Sequence, residues 1–301
     1  MINSFPKIFQ IGQPWIKDLF SGKVEITEKI DGSQFSFGKV NGELFIRSKG
    51  QQLFPDAPEK MFSLGIDYVI SIQDRIPDNL ILYCEFLNKP KHNTLKYDRV
   101  PKNNLICFGA TYDGEFVEDY GYYADMLDIE VVPSFAYCYI KSADELKEFL
   151  ERESILGGTK VEGVVVKNYE KPFLLGGQLI PLMMGKYVSE AFKERHGSWR
   201  KENTSKGKWE DYKESFRTEA RWNKAIQHLR DNGELQQAPQ DIGNLIKEIY
   251  RDIQEEEKEN IKDYLWNEFG KDLLRKSTAG FPEWYKEQLL KESFNDNKIT
   301  D

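Results

Sequence analysis

The chain is poor in cysteine, in long apolar runs and in positive charge, and each shortage closes a class of function. Its 301 residues hold three cysteines, Cys84, Cys107 and Cys138, spread through apolar stretches. That spacing suits buried thiols in a reducing, cytoplasmic setting and offers neither a disulfide framework nor a zinc site. No apolar run approaches the ~20 residues that cross a bilayer, so no membrane role is expected. Met1-Ile2-Asn3-Ser4-Phe5-Pro6 has no basic region leading into an apolar core, so no secretory signal is read there. The formal net charge is -8. Proteins that coat nucleic acid carry broad basic surfaces, which this balance lacks. An enzyme with a local basic groove stays open. Residues 201–301 carry 18 Lys and Arg against 22 Asp and Glu, so half of the net charge lies in that part. Charge therefore does not choose a partner. No internal repeat or low-complexity run is present.

Apolar residues make up 40% and charged residues 31%, an ordinary globular composition with enough chain for a large domain and a smaller one. Residues 1–190 read as mixed strand and helix. Lys23 to Thr27 alternates with period two. Phe35 to Phe37 and Leu44 to Arg47 are short strands around the turn Asn41-Gly42, a hairpin signal. Leu80 to Phe86, Asn104 to Thr111, Val131 to Ile140 and Val161 to Lys167 are further strands, and Asp113-Gly114 is a turn. Ser142-Ala143-Asp144-Glu145 forms a capping box that opens a helix to about Arg152. After Lys186 glycine and β-branched residues thin out. From about residue 209 apolar residues such as Leu245, Ile246, Ile249 and Ile253 recur at helical spacing. The expected division is residues 1–200 and a helical domain at 201–301.

The sharpest segment is Thr27-Glu28-Lys29-Ile30-Asp31-Gly32-Ser33, which places Lys-x-Asp-Gly directly after a strand. Alone it reads more readily as a lysine beside an Asp-Gly turn, since Lys-x-Asp-Gly occurs often by chance. Three later segments follow it in order. Tyr83-Cys84-Glu85-Phe86 sets a carboxylate near a strand end. Asn104-Leu105-Ile106-Cys107-Phe108-Gly109 carries an aromatic residue on a strand. Val161-Glu162-Gly163-Val164-Val165-Val166-Lys167 precedes Met184-Gly185-Lys186-Tyr187. Phe5-Pro6-Lys7-Ile8 and Arg47-Ser48-Lys49 complete the set.

Over residues 1–195 this ordered set resembles the phage-type RNA ligases, within the covalent nucleotidyltransferase superfamily of ATP-dependent ligases and mRNA capping enzymes. The resemblance implies an α+β fold: a nucleotidyltransferase domain of antiparallel sheets flanked by helices, followed here by a C-terminal all-helical domain. It implies an ATP-dependent RNA ligase that joins 3'-OH and 5'-phosphate ends through lysyl-AMP and adenylated-strand intermediates. ATP and Mg²⁺ are implied as cofactors, with Mn²⁺ as an alternative, and RNA strands, RNA/DNA hybrid ends included, as partners. Lys29 is the implied nucleophile. Glu28 and Phe108 would hold adenine, and Arg47 and Glu85 the ribose. Glu162 and Lys186 would serve the α-phosphate, with Glu162 as metal ligand. Asp31, Gly32 and Lys167 complete the expected nucleotide contacts. The family commonly shows K-x-K at the last motif and Asp after the stacking Phe; here those places hold Met184 and Gly109.

Chemistry supports the same residues. A lysine amine attacks phosphorus only when neutral, and holding it so at pH 7 costs roughly 4.6 kcal/mol in water. Enclosure and nearby cations would lower its pKa. Phosphoryl transfer needs charge neutralisation, which Mg²⁺ and lysines supply. Plain alternatives exist. Glu85 suits a solvated strand end, Phe108 suits a core, Arg47 suits an ion pair, and Asp31 suits a turn. Residues five apart on a regular strand point to opposite faces, which sets Lys167 against Glu162.

Two basic segments suit strand binding, Lys89 to Arg99 and Lys193 to Lys208, the latter equally an interdomain linker. Arg217, Arg221, Lys224 and Arg230 are expected to flank the same groove. Residues 209–301 carry no nucleotide motif, so the Lys29 adduct is expected to form without them. A DNA ligase or capping enzyme would show a barrel there, and helices favour RNA ligation. A non-catalytic RNA-binding protein would show a damaged nucleophile motif, whereas Lys29, Asp31 and Gly32 are intact. The oligomeric state stays open.

Overall fold

The structure is a computed structural model that describes residues 1–55, 60–175, 178–189, 193 and 205–296. In chain order its strands and helices begin with β1 (Phe9–Gln10), β2 (Lys23–Lys29), β3 (Ser33–Val40), β4 (Glu43–Ser48), β5 (Gln52–Leu53) and α1 (Ser63–Ser71). There follow β6 (Leu80–Phe86), β7 (Leu105–Tyr112), β8 (Glu115–Val117), α2 (Tyr120–Met126), β9 (Glu130–Val131) and β10 (Ser134–Tyr139). The sheets finish with β11 (Gly163–Asn168), β12 (Phe173–Leu175), β13 (Gln178–Ile180) and β14 (Met183–Val188). Five helices come last: α3 (Ser205–Glu214), α4 (Glu219–Asp231), α5 (Ile242–Glu256), α6 (Lys258–Ser277) and α7 (Phe281–Asp296). The α+β class with a helical C-terminal part is what the sequence led one to expect.

Two mainly antiparallel sheets form the body, ordered β1-β14-β11-β2-β10 and β5-β4-β3-β6-β7-β8, with β9 pairing β7. The outer face of the second sheet packs Phe35, Phe37, Leu82 and Cys84 against Phe62 and Ile66 at α1 and Ala124 of α2. The outer face of the first packs Val24, Ile26, Val164 and Val166 against Leu146 and Phe149. Those two residues lie on a 3-10 helix, Ala143–Glu151, where Glu145 accepts the Ser142 N–H at 3.2 Å. The inner faces meet, since Tyr83 of β6 and Met184 of β14 share one buried cluster.

One expected strand divides. Val131 to Ile140 becomes β9 in the second sheet and β10 in the first. Pro133 lies between them; it has no N–H to continue a ladder, and its carbonyl accepts from the Glu28 N–H at 3.1 Å.

By contacts the chain groups into two compact units, Met1–Ile249 and Tyr250–Asp301. The expected boundary near residue 200 follows composition, whereas the contacts place α3 and α4 with the sheets. In the first unit, Ala225 and Leu229 bury one side of α4, and Thr218 Oγ1 caps it by accepting the Arg221 N–H at 3.2 Å. In the second, Trp266, Phe281 and Trp284 are each more than half exposed.

Candidate active site

Alternation along β2 puts Glu25, Thr27 and Lys29 on the inner face, opposite Lys167, Val165 and Gly163 of β11. Lys186 of β14 is paired with Val165, so it shares that face. On the facing sheet Ser36 pairs with both Arg47 and Tyr83, and Gln34 pairs with Glu85. Arg47, Tyr83 and Glu85 therefore share one face. Phe108 is the extra residue where β7 bulges, because Tyr83 pairs with Gly109 and Cys84 with Cys107. A bulge re-aims its side chain. This turns the Phe108 ring toward Phe5, edge-on at 4.9 Å.

Lys29 Nζ donates to Glu162 Oε2 at 2.7 Å. Glu162 immediately precedes β11, so its side chain escapes the strand's alternation and turns to the inner side. The expected opposition of Glu162 and Lys167 is thereby removed. Burial alone would lower the Lys29 pKa, but the carboxylates of Glu162, Glu85 and Asp31 outweigh it and raise it. That corrects the expectation of a lowered value: without ligand Lys29 stands as an ammonium. Burial pushes Glu162 up to about 7 against the pull of Lys29 and Lys186. It pushes Glu85 up to about 8 and also raises Glu28.

Two carboxylate oxygens here are buried without a hydrogen-bond partner among the described residues, Glu28 Oε1 and Glu85 Oε2. The other Glu28 oxygen accepts the Ile155 N–H at 3.0 Å. Buried acceptors without donors are costly and mark places that await donors. Hydroxyl and amino groups of a nucleoside supply such donors. The fit to a divalent ion is leaner. Among the described residues no three His, Cys, Asp or Glu side chains converge as a metal site. A magnesium ion bound mainly by phosphate and water needs only one or two carboxylates, and Glu162 meets that demand.

Asp31 works through the backbone. Its Oδ2 accepts the N–H groups of Thr94 at 2.8 Å and Leu95 at 2.7 Å, and its own N–H donates to Tyr97 Oη at 2.8 Å. A side chain at Gly32 would be crowded, since a Cβ would stand 3.0 Å from the Phe86 carbonyl oxygen and 3.1 Å from Glu85 Oε2. Arg47 donates to the Ile2 carbonyl at 2.9 Å and to the Ser48 carbonyl at 3.1 Å, rather than to a carboxylate. Burial lowers its pKa.

Lys167 stands apart. It lies four residues beyond the position opposite Lys29, roughly 13 Å along the strand. Its Nζ donates to Glu25 Oε2 at 3.0 Å and to Tyr120 Oη at 3.2 Å, while Tyr169 Oη donates to the same carboxylate. Burial lowers its pKa against the pull of Glu25. The two departures from the family pattern meet at Phe5. Met184 is packed with Phe5 in one cluster, and a Cβ on Gly109 would stand 3.2 Å from the Phe5 ring. An Asp at 109 would crowd that ring.

The residues read as chemical in the sequence do not complete the site. Behind the nucleophile segment, Ser33 Oγ is 2.9 Å from His92 Nε2 and donates to Asp231 Oδ1 at 2.8 Å. Gln227 donates to the Gly32 carbonyl at 2.7 Å. Arg230 donates to Asn93 Oδ1 at 3.1 Å and to the His92 carbonyl at 3.3 Å. Helix α4 thus buttresses the Lys29 loop, and a chain cut near residue 205 would lose this support. Arg221 is 1% exposed and belongs to the interior, not to a groove. No sequence signal links Ser33 with Asp231; His92 lay inside a basic segment and would have been the one clue. Of the second basic segment, Arg195, His196, Trp199, Arg200 and Lys201 lie outside the described residues, as do the side chains of Lys206 and Lys208.

A lysine on a strand, a carboxylate bonded to it and two buried acceptors without donors among the described residues make up this site. The RNA ligase family model matches residues 22–181, and the chain belongs to that family. Among solved structures it is similar to an RNA ligase of Naegleria gruberi with PPi, at TM-score 0.48 and 14% identity. Variants of that ligase with ATP and Mn (TM-score 0.46) and with AMP and Mn (0.45) are similar at 15% identity. In each case 64% of this chain aligns with 57% of the other, so the chain spans a little over half the length of these structures. No curated protein matches.

Proposed function

We propose that the chain is an ATP-dependent RNA ligase that joins 3'-OH and 5'-phosphate ends through a lysyl-AMP on Lys29 and an adenylated strand. The observation that carries this is the 2.7 Å Lys29–Glu162 pair beside the unpartnered oxygens of Glu28 and Glu85. Lys29 Nζ forms a bond to the α-phosphorus, the P–O bond to the β-phosphate breaks, and pyrophosphate leaves with that electron pair. The ammonium must first lose its proton to solvent, which the Glu162 carboxylate bonded to it opposes as long as that charge stands. Glu28 and Glu85 accept from the base and the ribose, and Phe108 packs against the base. Arg47 keeps the rim and Lys186 neutralises phosphate charge. Asp31 and Gly32 fix the loop that carries the nucleophile. Lys167 supports the sheet rather than the nucleotide. When bound, Mg²⁺ or Mn²⁺ supplies charge neutralisation at the phosphates, with Glu162 as the protein ligand. Its charge would also cancel the carboxylate that holds Lys29 protonated.

The test is mass spectrometry of the protein after incubation with Mg²⁺ and either ATP or GTP. AMP on the Lys29 peptide is expected. AMP on another residue, or GMP alone, overturns the proposal.

A further inference from the structure

A cleft of about 750 Å³ lies behind the Lys29 loop, between residues 88–93 and the α4–α5 turn. Its apolar lining comes from Met61, Ile226, Leu235, Pro239 and Leu245. Its rim carries Lys89, Lys91 and Arg230, with the amides of Asn88, Asn93 and Gln237 between them. Asp241 brings the one carboxylate, and its oxygens already accept the N–H groups of Gln236 and Ala238 at 3.1 Å. Gln237 is held in the left-handed region at φ 60° in that turn, a strained setting at a cleft lip. Lys89 and Lys91 are exposed.

We infer that this cleft binds one or two unpaired nucleotides of an RNA strand, an inference that rests on the ligase reading. Exposed lysines answer phosphates, apolar lining residues answer a splayed base, and amides answer base edges. A cleft of this volume takes a small ligand, not a duplex, which is gripped over a much longer surface. Two residues of the cleft lining are bonded to the Lys29 segment: His92 to Ser33, and Asn93, which donates to the Gly32 carbonyl at 2.9 Å and accepts from Arg230. A strand seated here grips the same loop that orders Lys29.

The test measures binding of a short 5'-phosphorylated single-stranded RNA by fluorescence anisotropy across salt. It uses the wild type, Lys89→Ala/Lys91→Ala, the cleft-filling Ala238→Trp, and Lys271→Ala/Lys276→Ala on exposed α6 as a charge control. Loss of two phosphate contacts should weaken binding about tenfold and lower the salt slope by about 1.4. Ala238→Trp should weaken binding and leave the slope near wild type. RNA carrying 4-thiouridine should crosslink to peptides from 88–93 and 235–245. Equal losses in the α6 control, unchanged binding in both cleft variants, or crosslinks confined elsewhere overturn the inference. Lysyl-AMP on the wild type is measured in parallel. A wild type that forms the adduct while the cleft variants bind RNA normally refutes the cleft alone. One that forms no adduct, yet loses RNA with Lys89 and Lys91, refutes the ligase reading alone.

Discussion

Two lysine–carboxylate pairs bridge β2 and β11 on the same face, and their surroundings could hardly differ more. Lys29–Glu162 stands where β11 begins, with the lysine side chain 25% exposed and unsatisfied oxygens of Glu28 and Glu85 nearby. Lys167–Glu25 is sealed, with the lysine 2% exposed, the Tyr120 ring 4.3 Å beneath it and two tyrosine hydroxyls on the carboxylate. The first pair has acceptors beside it that lack donors among the described residues. The second has every partner it needs, which is how a buried charge becomes tolerable. Identity of residue type does not separate them; completeness of the shell does.

The largest expected break of this contrast is Lys29→Ala. Intact mass after ATP and Mg²⁺ should show complete loss of the adduct, while the melting temperature stays within about 4 °C of wild type. Next comes Lys167→Met, which leaves Glu25 buried without its cation. Urea unfolding should report a loss of about 3–5 kcal/mol, partly recovered by adding Glu25→Gln. If Lys167→Met instead keeps its stability and loses the adduct, Lys167 belongs to the nucleotide site as the resemblance implied. Glu162→Gln sharpens the first pair. It removes the foremost charge that raises the Lys29 pKa, so an amine-acylating reagent should label Lys29 about tenfold faster at pH 8 for each unit the pKa falls. Equal labelling would place the source of the shift elsewhere.

The smallest effect concerns the buttress behind the loop. Burial pushes Asp231 up to about 7, so its protonated form is favoured in the fold. Stability from that group is full below its unfolded pKa of about 4 and is lost as pH rises through 7. His92 and His228 run the other way. Burial depresses both to about 4, so their contribution is full above about 6.5 and is lost as pH falls toward 4. Asp231→Asn should therefore melt a few degrees higher than wild type relative to its own pH 5 value when both are measured at pH 8. Parallel profiles would show that Asp231 does not titrate in this range.

The strands, the hairpin and the capping box were legible because period-two alternation, Asn-Gly and Ser-x-x-Glu act within a few residues. The set Lys29, Glu85, Phe108, Glu162 and Lys186 was legible as an ordered series of motifs. The direction of the Lys29 shift was not, because it depends on three carboxylates brought from separate places in the chain. Nor was the side on which Glu162 stands, which follows from the residue at which β11 begins to pair.

By itself, then, the sequence determined the α+β class and the helical character beyond the sheets, since each rests on local periodicity or residue type. Tertiary structure alone decided that Lys167 is sealed, that Phe5 fills the space beside Met184 and Gly109, and that α4 holds the nucleophile loop through Gln227 and Asp231. Those outcomes turn on contacts between residues far apart in the chain. Burial and partner completeness exist only once such segments meet.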